Sequence, residues 1–333
     1  MPFGRGFFLA LSKSDFLAHR VTKWGFVRRA TKTFMPGEAP EDAFGACMEL
    51  AKDGRRTIFT KLGEAITNKA EATAVRDHYL WLFDQIKARA LPATVSVKPT
   101  QLGLDIDPGL CQAYTEELAK KAADCGSFLW IDMEDSTYVD RTLALYRAVK
   151  MKFPASGLAM QAYLKSGDDD ARRIVEWSKR TGRVVTVRLV KGAYWDYETI
   201  HARQMDWPVP VWNQKPESDR QYEDLAEFLI ANRAWLRPAF GSHNARSLAR
   251  VLALSELAEL PPDVVEFQSL YGMGEPVQRA LRSLGRRVRG YAPYGDLLPG
   301  MAYLVRRLLE NTANDSFLRQ SLAEHRDRAW LLA

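Results

Sequence analysis

The sequence predicts an α/β protein, a (β/α)8 TIM barrel preceded by an N-terminal helical arm, on three observations. Past residue 55, eight short β-rich runs alternate with longer amphipathic stretches. Eight such units fit the roughly 250 residues that a barrel of this kind needs. No glycine-rich fingerprint follows a first strand, which removes the usual reason to prefer a doubly wound sheet. Strand alternating with helix in this way argues for parallel pairing throughout.

The predicted strands, in order, are 57–62 (TIFTKL), 94–98 (TVSVK), 128–134 (FLWIDME), 157–163 (GLAMQAY), 184–190 (VVTVRLV), 238–243 (PAFGSH), 264–270 (VVEFQSL) and 287–293 (RVRGYAP). Between them lie helical patterns such as DARRIVEWSKRTG and SLARVLALSELAEL. Side chains alternate faces along a strand, so each run can be divided into two sets. Val95 and Val97 share one face, and Thr94, Ser96 and Lys98 the other. Asp132 and Glu134 oppose Ile131 and Met133, and Gln161 opposes Leu158 and Met160. Arg188 opposes Val185 and Val187, Glu266 and Gln268 oppose Val265 and Phe267, and Tyr291 opposes Val288. If the apolar faces meet outer helices, the polar faces line the lumen near the carboxyl ends of the strands, where barrel enzymes build their sites. A single polar strand end is usually a satisfied structural group; the same polarity on six strands is not. Strand five leads into RLVKGAYWDYE, so Arg188 and Lys191 place cations at the mouth and predict an anionic ligand.

The segment DLLPGMAYLVRRLLEN, 296–311, reads as a helix after the last strand. Asp296 can cap it and Pro299 is tolerated in its first turn. Leu304 and Leu308, with Val305 and Leu309, make the buried stripe. Arg306 and Arg307, about 100° apart on a helix, flank that stripe with Glu310 in reach of both. A solvated pair bridged by Glu310 is the plain reading of such arginines. Beside a lumen already holding cations, two guanidiniums also form a fork for a carboxylate.

Composition bounds the rest. The 333 residues, 47% hydrophobic and 26% charged, are those of a globular protein with a substantial core. No apolar run approaches the roughly 18 residues of a membrane span; GFFLAL is too short, and no small-residue cleavage site follows it to suggest a secretory signal. Cys47, Cys111 and Cys125 have neither metal-like nor paired spacing, which fits a reducing, cytoplasmic location and no metal. The net charge of +6 resides in residues 1–36, where seven Lys or Arg face Asp15 alone. That leader reads as a solvated helical arm, with a second use in contacting anionic lipid or nucleic acid. The near-neutral remainder argues against nucleic-acid binding as the main function. The expected organisation is an arm over 1–55, a catalytic barrel over 56–320 and a tail over 321–333.

The motifs SVK, IDMED, QAY, RLVKGAYWD, SHN, EFQSLYGM, YAPYG and YLVRRLLENTANDSF, spanning roughly residues 90 to 319, resemble in order and spacing those of bacterial proline dehydrogenase. The pairing of RLVKGAYWD with YLVRRLLEN is highly specific; QAY alone is weak. The resemblance implies a distorted (β/α)8 barrel that binds FAD and oxidises L-proline to Δ1-pyrroline-5-carboxylate. Hydride would pass from C5 to flavin N5, and electrons onward to a membrane quinone, with peripheral contact at the inner face of the membrane. By the same resemblance, Lys98, Arg306 and Arg307 look like ligands of the substrate carboxylate. Asp132 looks like the acid that orders this cluster, and Tyr291 and Leu270 like walls of the substrate pocket. Arg188 corresponds to a residue beside flavin N5. Met133, Gln161, Lys191, Gly192, Ala193, Ser242 and His243 match cofactor-contacting positions, as does Glu310 in the last helix.

The chain departs from the family pattern in places. Pro99-Thr100-Gln101 follows Lys98 where many relatives have small residues and a leucine, and Tyr271 stands where some larger proline-utilisation flavoenzymes have histidine. With no room for the aldehyde dehydrogenase domain of those enzymes, a monofunctional protein is expected. Three alternatives stay open: a preference for 4-hydroxyproline, a barrel lyase using Lys98 as a Schiff base, and a non-enzymatic membrane or nucleic-acid module driven by the basic leader.

Overall fold

The computed structural model describes residues 33–63, 66–296 and 303. Eight parallel strands close into a barrel in chain order. They are β1 Arg56–Lys61, β2 Ala93–Val97, β3 Leu129–Ile131, β4 Ser156–Gln161, β5 Val185–Val190, β6 Leu236–Gly241, β7 Glu266–Leu270 and β8 Arg287–Tyr294. β8 pairs with β1 over six residues, from Arg56 opposite Arg289 to Lys61 opposite Tyr294, and so seals the cylinder. The connecting helices are α2 Lys69–Ala88, α3 Pro108–Asp124, α4 Val139–Lys152, α5 Gly167–Thr181, α6 Trp195–Gln204, α7 Lys215–Ala231, α8 Ala245–Leu257 and α9 Glu275–Ser283; α1, Pro40–Lys52, precedes β1.

Local chemistry explains where these helices begin. Asn68 and Asp107 accept hydrogen bonds from the main-chain N–H groups of Glu71 and Leu110 in the first turns of α2 and α3, satisfying donors that a helix start leaves orphaned. Asn244 does the same for α8 through Arg246 and Ser247. Proline at the first turn of α1, α3, α7 and α9 loses no helical bond there.

The core has two compartments. The larger lies between strands and helices and takes the outward faces predicted from the alternation: Val95, Val97, Leu158, Val185, Val187, Phe267 and Val288 are all buried in it. The smaller fills the barrel interior with Ile58, Trp130 and Ala239, flanked by Phe128 and Tyr291. Trp130 fits because its neighbour in register is Gly157; a Cβ there would sit 2.7 Å from the indole. Below this layer, near the amino ends of the strands, Arg289 donates to both oxygens of Glu266 at 2.8 and 2.9 Å. Its Nη1 reaches the Thr57 carbonyl at 3.3 Å. Burial pushes the Glu266 carboxyl up, but Arg289 outweighs it and holds the group below the usual carboxylate range. Pair and apolar plug close one end of the cylinder, so the open chemistry is confined to the other.

One difference from the sequence reading follows from backbone pairing. The run 128–134 is a strand only to Ile131. Asp132 makes one last ladder bond, its N–H to the Val97 carbonyl at 2.9 Å, and Glu134 lies beyond the sheet rather than on its lumen face. Helix α1 falls within the span assigned to the arm, yet it packs on β1 and β8, with Phe44 edge-on to Phe59 at 5.7 Å. It separates from the barrel in sequence but not in packing. The remainder of the arm before Thr33 and the tail 321–333 lie outside the described residues. So do Arg306, Arg307 and Glu310.

Candidate active site

At the open end, Asp132 is the hub. It follows β3 directly, so its carboxylate emerges from the sheet at the carboxyl edge, 7% exposed. Its Oδ1 accepts from Ser96 Oγ at 2.7 Å and from Arg188 Nη2. Its Oδ2 accepts from Tyr291 Oη at 2.8 Å, with Lys98 Nζ at 3.9 Å. Four strands, β2, β3, β5 and β8, therefore converge on one carboxylate. A buried charge is costly unless paired and hydrogen-bonded, and Asp132 is both.

Arg188 sits inside this hub, 4% exposed. The guanidinium lies 5.0 Å from the Trp130 ring centroid and 5.5 Å from that of Tyr291, so the interior aromatics hold it by cation–π attraction as well as by charge. Nη2 also reaches Ser96 Oγ at 3.2 Å. Nη1 is buried and has no hydrogen-bond partner among the described residues. Burial, then the neighbouring Asp132 carboxylate, push the Tyr291 phenol up. The phenol therefore stays protonated and remains a donor. Lys98 is a cation held near Asp132 by charge, an arrangement suited to binding an anion rather than to forming an imine.

The other predicted residues divide by location. Gln161, 4% exposed, donates through Nε2 to the Glu134 carbonyl at 2.6 Å and so fastens the loop after β3 to the end of β4. Glu134 in turn accepts from Thr100 N–H at 3.0 Å and Thr100 Oγ1 at 2.6 Å. Thr100 belongs to the Pro99-Thr100-Gln101 stretch that directly follows Lys98. The His243 ring accepts at Nε2 from the Leu270 N–H at 2.9 Å; a neutral ring then carries its proton on Nδ1. Leu270 is paired in register with Tyr291, and Ser242 Oγ accepts from the Asn244 N–H at 3.1 Å. Hub, histidine and leucine thus share one rim.

Lys191 does not join the hub. Its Nζ pairs with Asp219 of α7 and donates to Ser247 Oγ of α8 at 3.1 Å, over the Tyr222 ring at 5.5 Å. Burial lowers its pKa, and Asp219 counters that. Gly192 has φ 128°, a conformation that favours glycine, and a Cβ there would lie 2.4 Å from the Tyr163 ring. Ala193 beside it is exposed. The Met133 side chain is turned toward the helices, where it lines a small cavity with Val139, Leu143, Met160 and Leu164. Sequence alone gives Trp130 and Arg289 no role, although they share strand parity with Asp132 and Tyr291, respectively.

Residues 43–320 match the model of the family described as proline dehydrogenase. The chain belongs to the proline dehydrogenase family. Membership supports proline oxidation in proline catabolism as its class of reaction. Among relatives, Proline dehydrogenase 1 of Bacillus subtilis (strain 168) is 27% identical over 318 residues, covering 96% of this chain and 98% of that one. The bifunctional protein PutA of Escherichia coli (strain K12) is 31% identical over 320 residues, 88% of this chain and 24% of PutA. A crystal structure of PutA from Bdellovibrio bacteriovorus, inactivated by N-propargylglycine, superposes with a TM-score of 0.86 at 36% identity over 92% of this chain. This chain spans 35% of that longer one. Among the described residues, no helix is long and apolar enough to cross a membrane, and no acidic, histidine or cysteine cluster could hold a metal.

Proposed function

We propose that this chain oxidises L-proline to Δ1-pyrroline-5-carboxylate with FAD as its bound oxidant, and that the electrons pass to a membrane quinone. The observation that carries the flavin reading is Arg188. Its guanidinium is buried in the hub with one nitrogen bonded to Asp132 and Ser96 and the other, Nη1, without a partner among the described residues. Leaving a buried donor unmet costs roughly 1–3 kcal/mol, so an acceptor belongs there, and a flavin ring edge is one.

FAD supplies a two-electron acceptor for the hydride from proline C5. Gln161, Gly192, Ala193, Ser242 and His243 stand on adjoining strand ends, and we assign them to the cofactor. Lys191 and Met133 belong with them by position, and Glu310 by its place after β8. Lys98, together with Arg306 and Arg307, is assigned to the substrate carboxylate. Asp132 orders Arg188, Lys98 and Tyr291 around one centre, and Tyr291 and Leu270 supply the walls. A cationic pocket favours the neutral substrate amine, whose lone pair is needed as the iminium forms. Arg188 stabilises negative charge that develops beside it, in a site where the dielectric is low and donors are already in place.

The test is the absorbance spectrum of the purified protein before and after anaerobic addition of L-proline. The expected result is a flavin spectrum that bleaches, a product that traps with o-aminobenzaldehyde, and FAD as the chromophore released on denaturation. Release of FMN, absence of flavin, or equal turnover with NAD overturns the reading.

A further inference from the structure

Glu198 has no part in the chemistry above, yet it is a carboxylate in the first turns of α6 that is 3% exposed. Among the described residues no lysine or arginine pairs with it; its partners are hydrogen-bond donors from two other loops. Oε1 accepts from the Ser136 N–H at 2.6 Å and from Tyr163 Oη at 3.4 Å, and Oε2 accepts from Ser136 Oγ at 2.6 Å. Burial pushes its carboxyl above the usual range against the pull of the Ser136 bonds, and Asp135 adds to the rise. A buried carboxyl group whose two oxygens are both taken up by donors from other segments marks a position where something is being fixed.

The three loops it joins are the ones that carry the site. Ser136 closes the segment Asp132-Met133-Glu134-Asp135 after β3. Tyr163 follows Gln161 at the end of β4, and its ring is the surface against which Gly192 rests. Glu198 itself is carried by the helix that continues Lys191-Gly192-Ala193. On the opposite flank the same β3 loop is fastened by Thr100 to Glu134 and by Gln161 to the Glu134 carbonyl. We propose that Glu198 is a positioning residue that ties the loops after β3, β4 and β5 into one register, so that Asp132, Gln161 and Lys191–Ala193 face a bound FAD together. The proposal rests on the flavin reading above.

The measurement is titration of apoprotein with FAD, followed by quenching of flavin fluorescence, together with kcat and KM for proline. In Glu198→Ala the FAD dissociation constant should rise about tenfold or more, as expected for losing charge-assisted hydrogen bonds. Its kcat should fall, while KM for proline stays within about twofold because Lys98, just past β2, is untouched. Glu198→Gln keeps an acceptor for the Ser136 N–H and a polar partner for its hydroxyl, and should recover most of the affinity. Ser136→Ala should lie between wild type and Glu198→Ala. Lys150→Met, which removes a buried bond at the far end of β4, supplies a destabilised control with unchanged FAD affinity. Wild-type FAD affinity in both Glu198→Ala and Ser136→Ala overturns the proposal, as does an equal loss in Lys150→Met at matched stability. If Glu198→Ala does not fold, Ser136→Ala decides by the same criteria. If wild type takes up no FAD, the flavin reading falls and this one with it.

Discussion

Tyr291 and Asp132, the one on β8 and the other just past β3, are joined by a 2.8 Å hydrogen bond from the phenol to Oδ2. Arg188 and Ser96 bond the other oxygen, Oδ1. The carboxylate is thereby divided: one oxygen anchors the guanidinium, the other orients the aromatic wall and neighbours Lys98. Replacing Asp132 by Ala leaves Arg188 buried and uncompensated, a change that typically costs 3–5 kcal/mol. Replacing it by Asn keeps the shape, an acceptor for Arg188 and the contact with Tyr291. Urea denaturation should show a large loss for Asp132→Ala and a clearly smaller one for Asp132→Asn. Proline-dependent turnover should collapse in both, since each removes the charge that balances Arg188.

Tyr291→Phe tests the other oxygen. It removes a hydrogen bond to a charged acceptor, worth about 1.5–3 kcal/mol where buried, but keeps the ring that packs on Arg188. Stability should fall modestly, and KM for proline should rise because the wall is no longer pinned. If steady-state kinetics show an unchanged KM, the phenol orders the apolar plug and not the substrate pocket.

Much of this site is legible in the chain because strand alternation is strict. Once Val95, Val97, Val185 and Val187 are placed outward, Ser96 and Arg188 must face in, and the structure brings both to Asp132. Alternation says nothing of where a strand ends, so by itself it puts Glu134 in the lumen although β3 stops at Ile131. Nor does it govern loops. Lys191 lies just past β5, where the backbone is free to turn, and Asp219, far off in sequence on α7, takes its charge. The latch of Glu198, Ser136 and Tyr163 joins a helix to two separate loops; no local periodicity could reveal it. The packing of α1 on β1 and β8 is likewise a tertiary fact, since an amphipathic helix does not name the wall it will cover.

The carboxylate fork assigned to Arg306 and Arg307 makes a prediction independent of the hub. Met keeps the length and apolar stem of either arginine without its charge. A hydrogen bond to a charged group is worth about 1.5–3 kcal/mol, so proline affinity should fall roughly 10- to 150-fold in Arg306→Met or Arg307→Met. Flavin content, read from the ratio of visible to protein absorbance, should stay near that of wild type. Loss of flavin with an unmoved KM would reassign these arginines to the cofactor.

His78 gives the fold a pH dependence remote from the hub. It lies on α2, hydrogen-bonded to Tyr294 Oη at 2.7 Å and packed against Trp81 at 5.5 Å. Burial, and then the charge of Lys61, lower its pKa from 6.5 to about 4. The folded state therefore favours the neutral ring, while the unfolded chain takes up a proton as pH falls below 6.5. Its contribution is fully present above that value and is lost as pH falls toward about 4. The melting temperature should drop over this window, and His78→Gln, which cannot titrate, should flatten the drop. Parallel curves for the two proteins would remove His78 as its source.

The basic leader can be tested apart from the barrel if the cut is placed by burial. Phe34 and Met35 are 3% and 0% exposed, so a deletion reaching residue 36 would open the core, whereas all seven of the leader's Lys and Arg lie within residues 1–32. Each such charge near an anionic bilayer is worth on the order of 1 kcal/mol. A protein beginning at Thr33 should bind phosphatidylserine vesicles more weakly in a flotation assay, and high salt should abolish the difference. Proline oxidation with a soluble dye as acceptor should persist, because no residue assigned to the site has been removed. Turnover with a quinone embedded in vesicles should fall in step with vesicle binding. Unchanged flotation would instead make residues 1–32 a solvated arm and leave quinone access to another surface.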